Sequence, residues 1–202
     1  DWLALPNGRW AFIIADVTGH GIGPALLTAN CHAYVHALFG SDGNLLTWVN
    51  RINGFLANDL ENGRFITFLA VVLNPTDGSF SLLSAGHGPT LLYRATGGSV
   101  EVLPTQGPPL GIVPEGRYNP PLELRLDFGD ILILLTDGFT EWVDPQAEQF
   151  GVNRTKMALQ RYGRLDAARI IEGLHKEVVT FAAGTSQKDD LTAVVIKRTF
   201  PN

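Results

Sequence analysis

The sequence predicts an α+β fold in which mainly antiparallel sheets are covered by pairs of helices. Strand-like runs follow one another through the middle of the chain, separated by the turn Asn74–Gly78 and by Gly-rich breaks. Helix-like segments occur two at a time on either side of these runs. Because single helices do not alternate with single strands, a doubly wound parallel sheet is excluded.

The first predicted elements are a strand and two helices. Residues 10–15 form a continuous apolar run, which is typical of a buried strand. A glycine-rich loop follows, and Pro24 suits the first turn of a helix that should end near Phe39. The second helix is predicted over Leu45–Leu60, where apolar residues recur with a helical period.

The period then changes to that of strands. Six strand-like segments are expected, at residues 65–73, 79–85, 90–94, 100–103, 122–126 and 131–135. Two more helices are predicted over residues 153–162 and 165–182, and Leu191–Lys197 should close the chain as a strand.

Length and charge favour one globular domain over residues 1–202. The 202 residues suit a domain with a sizeable core, and 45% of them are hydrophobic. The formal net charge is −5 and no Lys/Arg run occurs, which argues against nucleic-acid binding.

Cysteine content and the chain start indicate the cellular context. Cys31 is the only cysteine, which excludes an intrachain disulfide or a thiolate zinc site and fits a reducing, cytoplasmic location. No apolar run approaches the length of a membrane span, so no membrane contact by this domain is expected. The sequence starts at Asp1 without Met or a signal-like segment. We therefore expect a domain cut from a longer regulatory protein.

Three acidic positions stand at the tips of strand-like runs. Asp16 ends the first strand, Asp137 follows the run 131–135, and the pair Asp189-Asp190 precedes the last strand. A carboxylate at the tip of a buried strand is costly unless something neutralises it. We therefore expect the three tips to lie side by side and to share a cation. Oxygen ligands of this kind suit Mg²⁺ or Mn²⁺.

Each acid also has a plain structural interpretation. The structural alternative for Asp16 is an N-cap of the following helix. Pro24, in the first turn of that helix, lies too far downstream of Asp16, which makes this alternative less favoured. Asp137 alone is compatible with an ordinary strand-ending turn, and the later acidic pair with a polar loop. Two adjacent residues of a strand point to opposite faces, so only one acid of the pair can ligate directly.

The histidines receive structural interpretations or stay open. His87 is expected to be a hydrogen-bonded histidine between two strands. His32 and His36 share a helix face through their i, i+4 spacing, and core or half-buried packing is favoured because Ala33 stands where a metalloprotease helix carries Glu. His20 either donates a proton to a leaving group or stabilises its loop. No G-x-S-x-G elbow occurs, so a serine hydrolase is not supported.

Seven motifs occur in the order found in one known family. They are the segments Asp16–Gly21, Phe68–Pro75, Ser84–Pro89, Pro109–Gly111, Asp127–Glu141, Phe150–Gly151 and Lys188–Val195. With them the chain resembles the bacterial, SpoIIE/RsbU-like branch of the metal-dependent PP2C-type serine/threonine phosphatases. The resemblance covers nearly the whole chain. It implies an α-β-β-α sandwich of two mainly antiparallel sheets flanked by helix pairs.

The resemblance also implies a binuclear Mn²⁺/Mg²⁺ centre at one edge of the sandwich. Asp16 would bridge both ions, with Val17 offering its carbonyl, and Asp137 and Asp189 would complete the second metal. The same three acids would be the catalytic residues. Asp1 would act through metal-bound water, and the choice within the acidic pair stays open. The implied metal residues are thus Asp1, Asp16, Val17, Asp137, Asp189 and Asp190.

The implied activity is hydrolysis of phosphoserine or phosphothreonine on a partner protein by a metal-activated water. The family suggests a STAS-type anti-sigma-factor antagonist as the substrate, in a bacterial signalling or stress-response pathway. It also suggests an upstream sensor domain in cis, which sets the two helices after Asp16, and leaves a homodimer open. The alternative is a catalytically weak or inactive domain that serves as a signalling or binding module.

Overall fold

The computed structural model describes residues 1–59 and 63–200. By their contacts the residues group into two compact units. Unit 1 comprises Asp1–His87 and Pro104–Arg125, and unit 2 comprises Gly88–Leu103 and the chain from Leu126 onward. Each unit therefore consists of two separate stretches of sequence.

Nine strands and five α-helices occur in the described residues. The strands are β1 Trp2–Ala4, β2 Trp10–Val17, β3 Ile66–Leu73, β4 Ser79–Ala85, β5 Thr90–Tyr93, β6 Val100–Leu103, β7 Leu122–Arg125, β8 Ile131–Leu135 and β9 Ala193–Lys197. The helices are α1 Ile22–Leu38, α2 Leu45–Asp59, α3 Gly138–Glu141, α4 Gly151–Tyr162 and α5 Ala167–Ala182.

Unit 1 is built on a five-stranded antiparallel sheet with the strand order β1-β2-β3-β4-β7. Alternate residues of β2 and β3, such as Ile13 and Phe68, point into one core that also contains side chains of α1 and α2. The buried residues of α1 recur every three or four positions, at Pro24, Leu27, Cys31, Val35 and Leu38. This stripe holds α1 against the sheet directly after the end of β2.

Unit 2 is built on a four-stranded antiparallel sheet with the strand order β6-β5-β8-β9. β8 is buried along its whole length, and its side chains share a core with residues of α3, α4 and α5. The side chain of Asp166 caps α5 by accepting a hydrogen bond from Arg169 N at 2.9 Å.

Asp130 anchors the start of β8 inside unit 2. It is only 2% exposed, and its carboxylate accepts hydrogen bonds from Arg94 Nη1 at 2.8 Å, Ala95 N at 2.8 Å and Asp127 N at 3.1 Å. A buried carboxylate with three donors is stable without a metal. Asp130 is therefore a structural acid.

The predicted fold class is confirmed. Two antiparallel sheets with helices make an α+β fold, and six strands stand between the two groups of helices as predicted. β1 and α3, of three and four residues, were not predicted. The predicted end of the second helix at Leu60 lies outside the described residues. Within the part of the chain that the structure describes, no helix is long and apolar enough to cross a membrane.

Candidate metal centre

Asp16 lies one residue before the end of β2 in unit 1. In the register of β2 and β3 it stands opposite Thr67. Just beyond the strand, Thr18 N donates to Phe65 O at 3.1 Å, and the Thr18 hydroxyl accepts from Phe65 N at 3.0 Å. These bonds extend the pairing past the strand end, so the backbone that carries Asp16 and Val17 is held on its β3 side.

The loop after β2 does not use Asp16 as a helix cap. Gly19 and Gly21 have φ values of 88° and 94°, a region that favours glycine. Gly21 is the N-cap residue of α1, and no side-chain hydrogen bond caps this helix. The N-cap position of α1 is therefore occupied by Gly21 and not by Asp16.

A hydrogen-bond network lies beside Asp16 in unit 1. The Thr67 hydroxyl lies 3.5 Å from Asp16 O and 2.8 Å from His87 Nδ1. His87 is 3% exposed, and the Ser84 hydroxyl donates to His87 O at 2.6 Å. The prediction of a structural, hydrogen-bonded His87 is confirmed. The network links the end of β2 to the segment after β4.

In unit 2, Thr136 joins the segment after β8 to the segment before β9. Its hydroxyl donates to Asp190 O at 3.1 Å and accepts from Thr192 N at 3.0 Å. Its backbone N donates to Thr192 O at 3.1 Å. Thr136 is 6% exposed, so these bonds form away from bulk water and position the acidic pair beside Asp137.

Gly138 is required by the same close approach. A Cβ atom at this position would lie 2.4 Å from Asp190 O, a distance that real Cβ atoms do not reach. The sequence offered a simpler interpretation of the Asp137-Gly138 pair, an ordinary strand-ending turn. In the structure, Gly138 instead packs directly against the backbone carbonyl of Asp190.

Asp137 and Asp189 form a carboxylate pair within unit 2. One ligand oxygen of each lies within 4.8 Å of the other. The Asp137 side chain makes no capping hydrogen bond to α3, although its residue is the N-cap. Two negative charges about 4 Å apart repel by about 1–4 kcal/mol, depending on the effective dielectric constant. A cation between them would remove this repulsion, so the pair is suited to hold a hard divalent ion.

The two acids of the Asp189-Asp190 pair differ in their surroundings. Asp190 N donates to Asp189 Oδ1 at 2.7 Å, and Asp190 O accepts from Thr136. The carboxylate that groups with Asp137 as a candidate ligand is that of Asp189.

Asp1 lies with two histidines in unit 1. Asp1 N donates to Ile13 O at 2.7 Å, and Ile13 N donates to Asp1 O at 2.8 Å, so Asp1 pairs with β2 next to β1. Its Oδ2 lies 2.9 Å from His32 Nε2 and 2.7 Å from His36 Nε2. The histidine side chains are 58% and 44% exposed, so neither lies in the core, while the half-buried packing also expected for them stays compatible with the structure.

Cys31 has no chemical role that its environment supports. It is 4% exposed in the core of unit 1, and burial raises the pKa of its thiol to about 12. A protonated thiol is neither a nucleophile nor a good metal ligand at neutral pH.

Sequence reasoning missed the two hydroxyls and the acid that joins the histidine pair. Thr67 and Thr136 are ordinary strand residues by composition, and only the register reveals their partners. The i, i+4 spacing of His32 and His36 was a usable signal. Asp1, which lies beside both histidines, is 31 residues from His32 in sequence. The resemblance had given Asp1 a role in the Mn²⁺/Mg²⁺ centre instead.

Comparisons with known proteins assign a family to this arrangement. A family model described as stage II sporulation protein E (SpoIIE) matches residues 6–199. Protein IcfG of Synechocystis sp. is 25% identical over 225 residues, which cover 98% of this chain and 35% of that protein. The phosphoserine phosphatase RsbU of Bacillus subtilis is 28% identical over 128 residues, which cover 63% of this chain and 38% of RsbU. The chain thus spans between 35% and 38% of the length of these curated relatives.

Solved structures share the fold. The RsbU and RsbW domains of a Mycobacterium tuberculosis protein match with a TM-score of 0.81 at 24% identity, covering 100% of this chain and 56% of that chain. The PP2C phosphatase domain of SpoIIE from Bacillus subtilis gives 0.78 at 22% identity, with coverages of 96% and 57%. RsbX in complex with magnesium gives 0.67 at 19% identity, with coverages of 93% and 80%. At these identities the similarity establishes the fold.

Proposed function

Because the chain belongs to the SpoIIE family of bacterial PP2C-type phosphatase domains, we propose that it removes phosphate from phosphoserine or phosphothreonine on a partner protein. One observation carries the proposal beyond family membership. The carboxylates of Asp137 and Asp189 approach within 4.8 Å on a backbone that Thr136 and Gly138 hold in place. Such a like-charged pair is favourable when a divalent cation neutralises it.

The residues present fit the metal ions that the family implies. Asp16 with the Val17 carbonyl, together with Asp137 and Asp189, would hold these ions. Asp190 is the alternative ligand within the acidic pair. All donors in this set are oxygen atoms, which suits Mn²⁺ or Mg²⁺. When bound, these ions supply an acidified water and charge neutralisation for the phosphate oxygens.

The protein's own contribution is to hold the acids still. The bonds between Thr18 and Phe65 restrain the end of β2 that carries Asp16. The Thr136 hydroxyl restrains the acidic pair in unit 2. Ligand placement matters because small errors of position cost large factors in rate. With a formal net charge of −5, the chain relies on cations for attraction of a phosphate group.

The names of the relatives support a proposal for the partner and for the control of activity. RsbU is named as a phosphoserine phosphatase, and we propose a phosphorylated STAS-type anti-sigma-factor antagonist as the substrate of this chain. We also propose that a regulatory domain in cis acts through α1 and α2, because α1 starts five residues after the Asp16-Val17 strand end. The cytoplasm is the proposed location, and a homodimer is compatible with this scheme.

The test is phosphate release from a phosphoserine protein with and without Mn²⁺, beside a small aryl phosphate. We expect Mn²⁺-dependent release from the protein substrate. Asp16→Asn and Asp137→Asn should lower the rate by at least about a hundredfold, as expected for a displaced ligand. Asp42→Asn, an exposed acid in the loop after α1, is the matched control and should retain the rate.

Other results of this test assign a different function. Strong substrate binding without turnover, at saturating Mn²⁺ and in the intact protein, would support the alternative of an inactive signalling module. Release that persists in Asp16→Asn and Asp137→Asn would refute the assigned metal residues.

A further inference from the structure

A second cluster of metal-binding side chains lies in unit 1. His32 and His36 project from one face of α1, and their ring centroids are 4.3 Å apart. Both Nε2 atoms lie within hydrogen-bonding distance of the same oxygen, Asp1 Oδ2. The three candidate ligand atoms all lie within 4.8 Å of one another. This cluster contains none of the residues at the strand tips Asp16, Asp137 and Asp189.

The members of the cluster are held by different elements. The histidines are one helical turn apart on α1, whose buried stripe fixes it against the sheet. Asp1 is fixed by its two backbone hydrogen bonds to Ile13 of β2. The three side chains therefore meet because the fold brings their backbones together, and the cluster does not depend on a flexible loop.

The donor set selects a different class of metal from that of the strand tips. Two imidazole nitrogens and one carboxylate oxygen suit Zn²⁺ and related transition metals, whereas Mg²⁺ prefers oxygen ligands alone. Tetrahedral Zn²⁺ with bonds of about 2.0–2.1 Å places its ligand atoms about 3.4 Å apart. The observed Asp1 Oδ2 to His Nε2 separations of 2.7 and 2.9 Å are hydrogen-bond distances, so binding of the ion would require the exposed side chains to move apart.

The surroundings leave one side of the cluster open and line the other side with apolar groups. The three side chains are between 34% and 58% exposed, so water can complete the shell. On the protein side, Asp1 and His32 line a cavity of about 150 Å³ together with apolar residues of β2, β3 and α1. An apolar wall beside a metal site restricts water and strengthens ligand bonds.

We propose that Asp1, His32 and His36 form a binding site for a divalent transition metal, with Zn²⁺ the best match. The ion connects the residue before β1 to α1, and so fastens the helix to the sheet. This site takes Asp1 out of the Mn²⁺/Mg²⁺ centre, in which the resemblance gave it a role through metal-bound water, and its existence does not depend on phosphatase activity.

The test is calorimetric titration of the 202-residue chain with Zn²⁺ in the presence of millimolar Mg²⁺, which competes for oxygen-only sites. We expect one site whose affinity falls at least about tenfold in His32→Gln and in His36→Gln, since even loss of an outer-shell partner costs 10–100-fold. His175→Gln removes an exposed histidine of α5 and should leave the affinity unchanged. Co²⁺ should give the visible absorption bands of a four- or five-coordinate site in the wild type and lose them in His36→Gln.

Two further measurements make the result decisive. Asp16→Asn should bind Zn²⁺ as the wild type does, which separates this site from the proposed catalytic centre. The metal-free melting temperatures of the histidine variants should match the wild type, because both side chains are exposed. Unchanged Zn²⁺ affinity in both histidine variants, or its loss in Asp16→Asn, would overturn the proposal.

Discussion

Asp189 and Asp190 show how two neighbouring residues of the same type come to differ in role. The carboxylate of Asp189 lies with that of Asp137, whereas Asp190 contributes its backbone N and O to hydrogen bonds. The difference arises because Thr136 holds the Asp190 carbonyl against the end of β8. At the scale of the residue, the position of the backbone decides which of the two carboxylates lies beside that of Asp137.

A pair of variants tests this assignment. Asp189→Asn should weaken Mn²⁺ binding at least about tenfold, because it removes one of two facing charges. Asp190→Asn should change the affinity much less and serves as the matched control. Calorimetric titration with Mn²⁺ measures both, and the reverse order of the two effects would make Asp190 the ligand.

The buried thiol of Cys31 predicts the direction in which the stability of the fold changes with pH. Burial raises the pKa of Cys31 from 9.0 to about 12, so the folded state keeps a proton that the unfolded state loses between these values. The stability contributed by this thiol is therefore complete below the unfolded pKa and is lost as the pH rises toward the folded pKa.

Alkylation measures this difference directly. At a pH of about 9, iodoacetamide should modify Cys31 slowly in the native chain and rapidly in urea, because only the thiolate reacts. Equal rates in the two conditions would show that the thiol is accessible and ionised in the folded protein.

The acids at the strand tips could be predicted from the sequence, because an acidic residue beside a long apolar run stands out in the sequence itself. The residues that place them could not be found in this way. Thr67 and Thr136 act through partners that are 20 to 56 positions away, and such pairs are set by the register of strands. His32 and His36 were recognised as a pair, but their shared partner was hidden by the distance in sequence.

At the scale of elements, the junction between β8 and α3 depends on a glycine that carries no side chain to compete for space. A Cβ atom at Gly138 would meet Asp190 O at 2.4 Å, whereas one at Gly54 in α2 would meet no atom within 4 Å. The two helical glycines therefore have opposite expected responses to the same substitution.

Gly138→Ala should destabilise the protein by about 1–3 kcal/mol, as overpacking of a filled site does, and should also weaken Mn²⁺ binding. Gly54→Ala should stabilise it by about 0.5–1 kcal/mol through helix propensity. Urea unfolding of both variants compares them. Equal stability changes would mean that the contact at Gly138 relaxes without cost.

The long elements were predictable, while the shortest ones were not. The run Ile131–Leu135 is buried throughout, as its continuous apolar sequence indicated. β1 has only three residues and α3 only four, too few to show a period. Both nevertheless border candidate ligands, since β1 follows Asp1 and α3 follows Asp137.

At the scale of the whole molecule, metal binding should be visible as stability. Metal that binds only the folded chain raises its free energy of unfolding, by about 2.7 kcal/mol at a hundredfold excess over the dissociation constant. Thermal melting in millimolar Mn²⁺ should therefore show a higher midpoint than melting without metal.

Asp16→Asn should reduce the rise of the melting midpoint that Mn²⁺ causes, and Asp42→Asn should preserve this rise. A midpoint that is indifferent to millimolar Mn²⁺ would count against a preformed binuclear centre.

Regulation is expected to act through α1 and α2. A shift of α1 would move the loop that follows Asp16, and misplacement of a catalytic group by 1 Å can cost about 10²-fold in rate. We expect the 202-residue chain to turn over slowly and the intact protein to turn over faster when stimulated. Equal phosphatase rates in the two forms, at rest and under stimulation, would remove the switch and leave the phosphatase assignment intact.

The interleaving of the two units along the sequence has a consequence for synthesis on the ribosome. β4 is complete by residue 85, but β7, which pairs with it, is made only at residues 122–125. Between these points the nascent chain carries β5 and β6, which belong to the other unit. Until β7 emerges, β4 presents an unpaired edge, and such edges invite wrong pairing with other chains. The sheet of unit 1 therefore cannot be completed before β7 has emerged, and nascent chains that stall before residue 122 should be clients of chaperones.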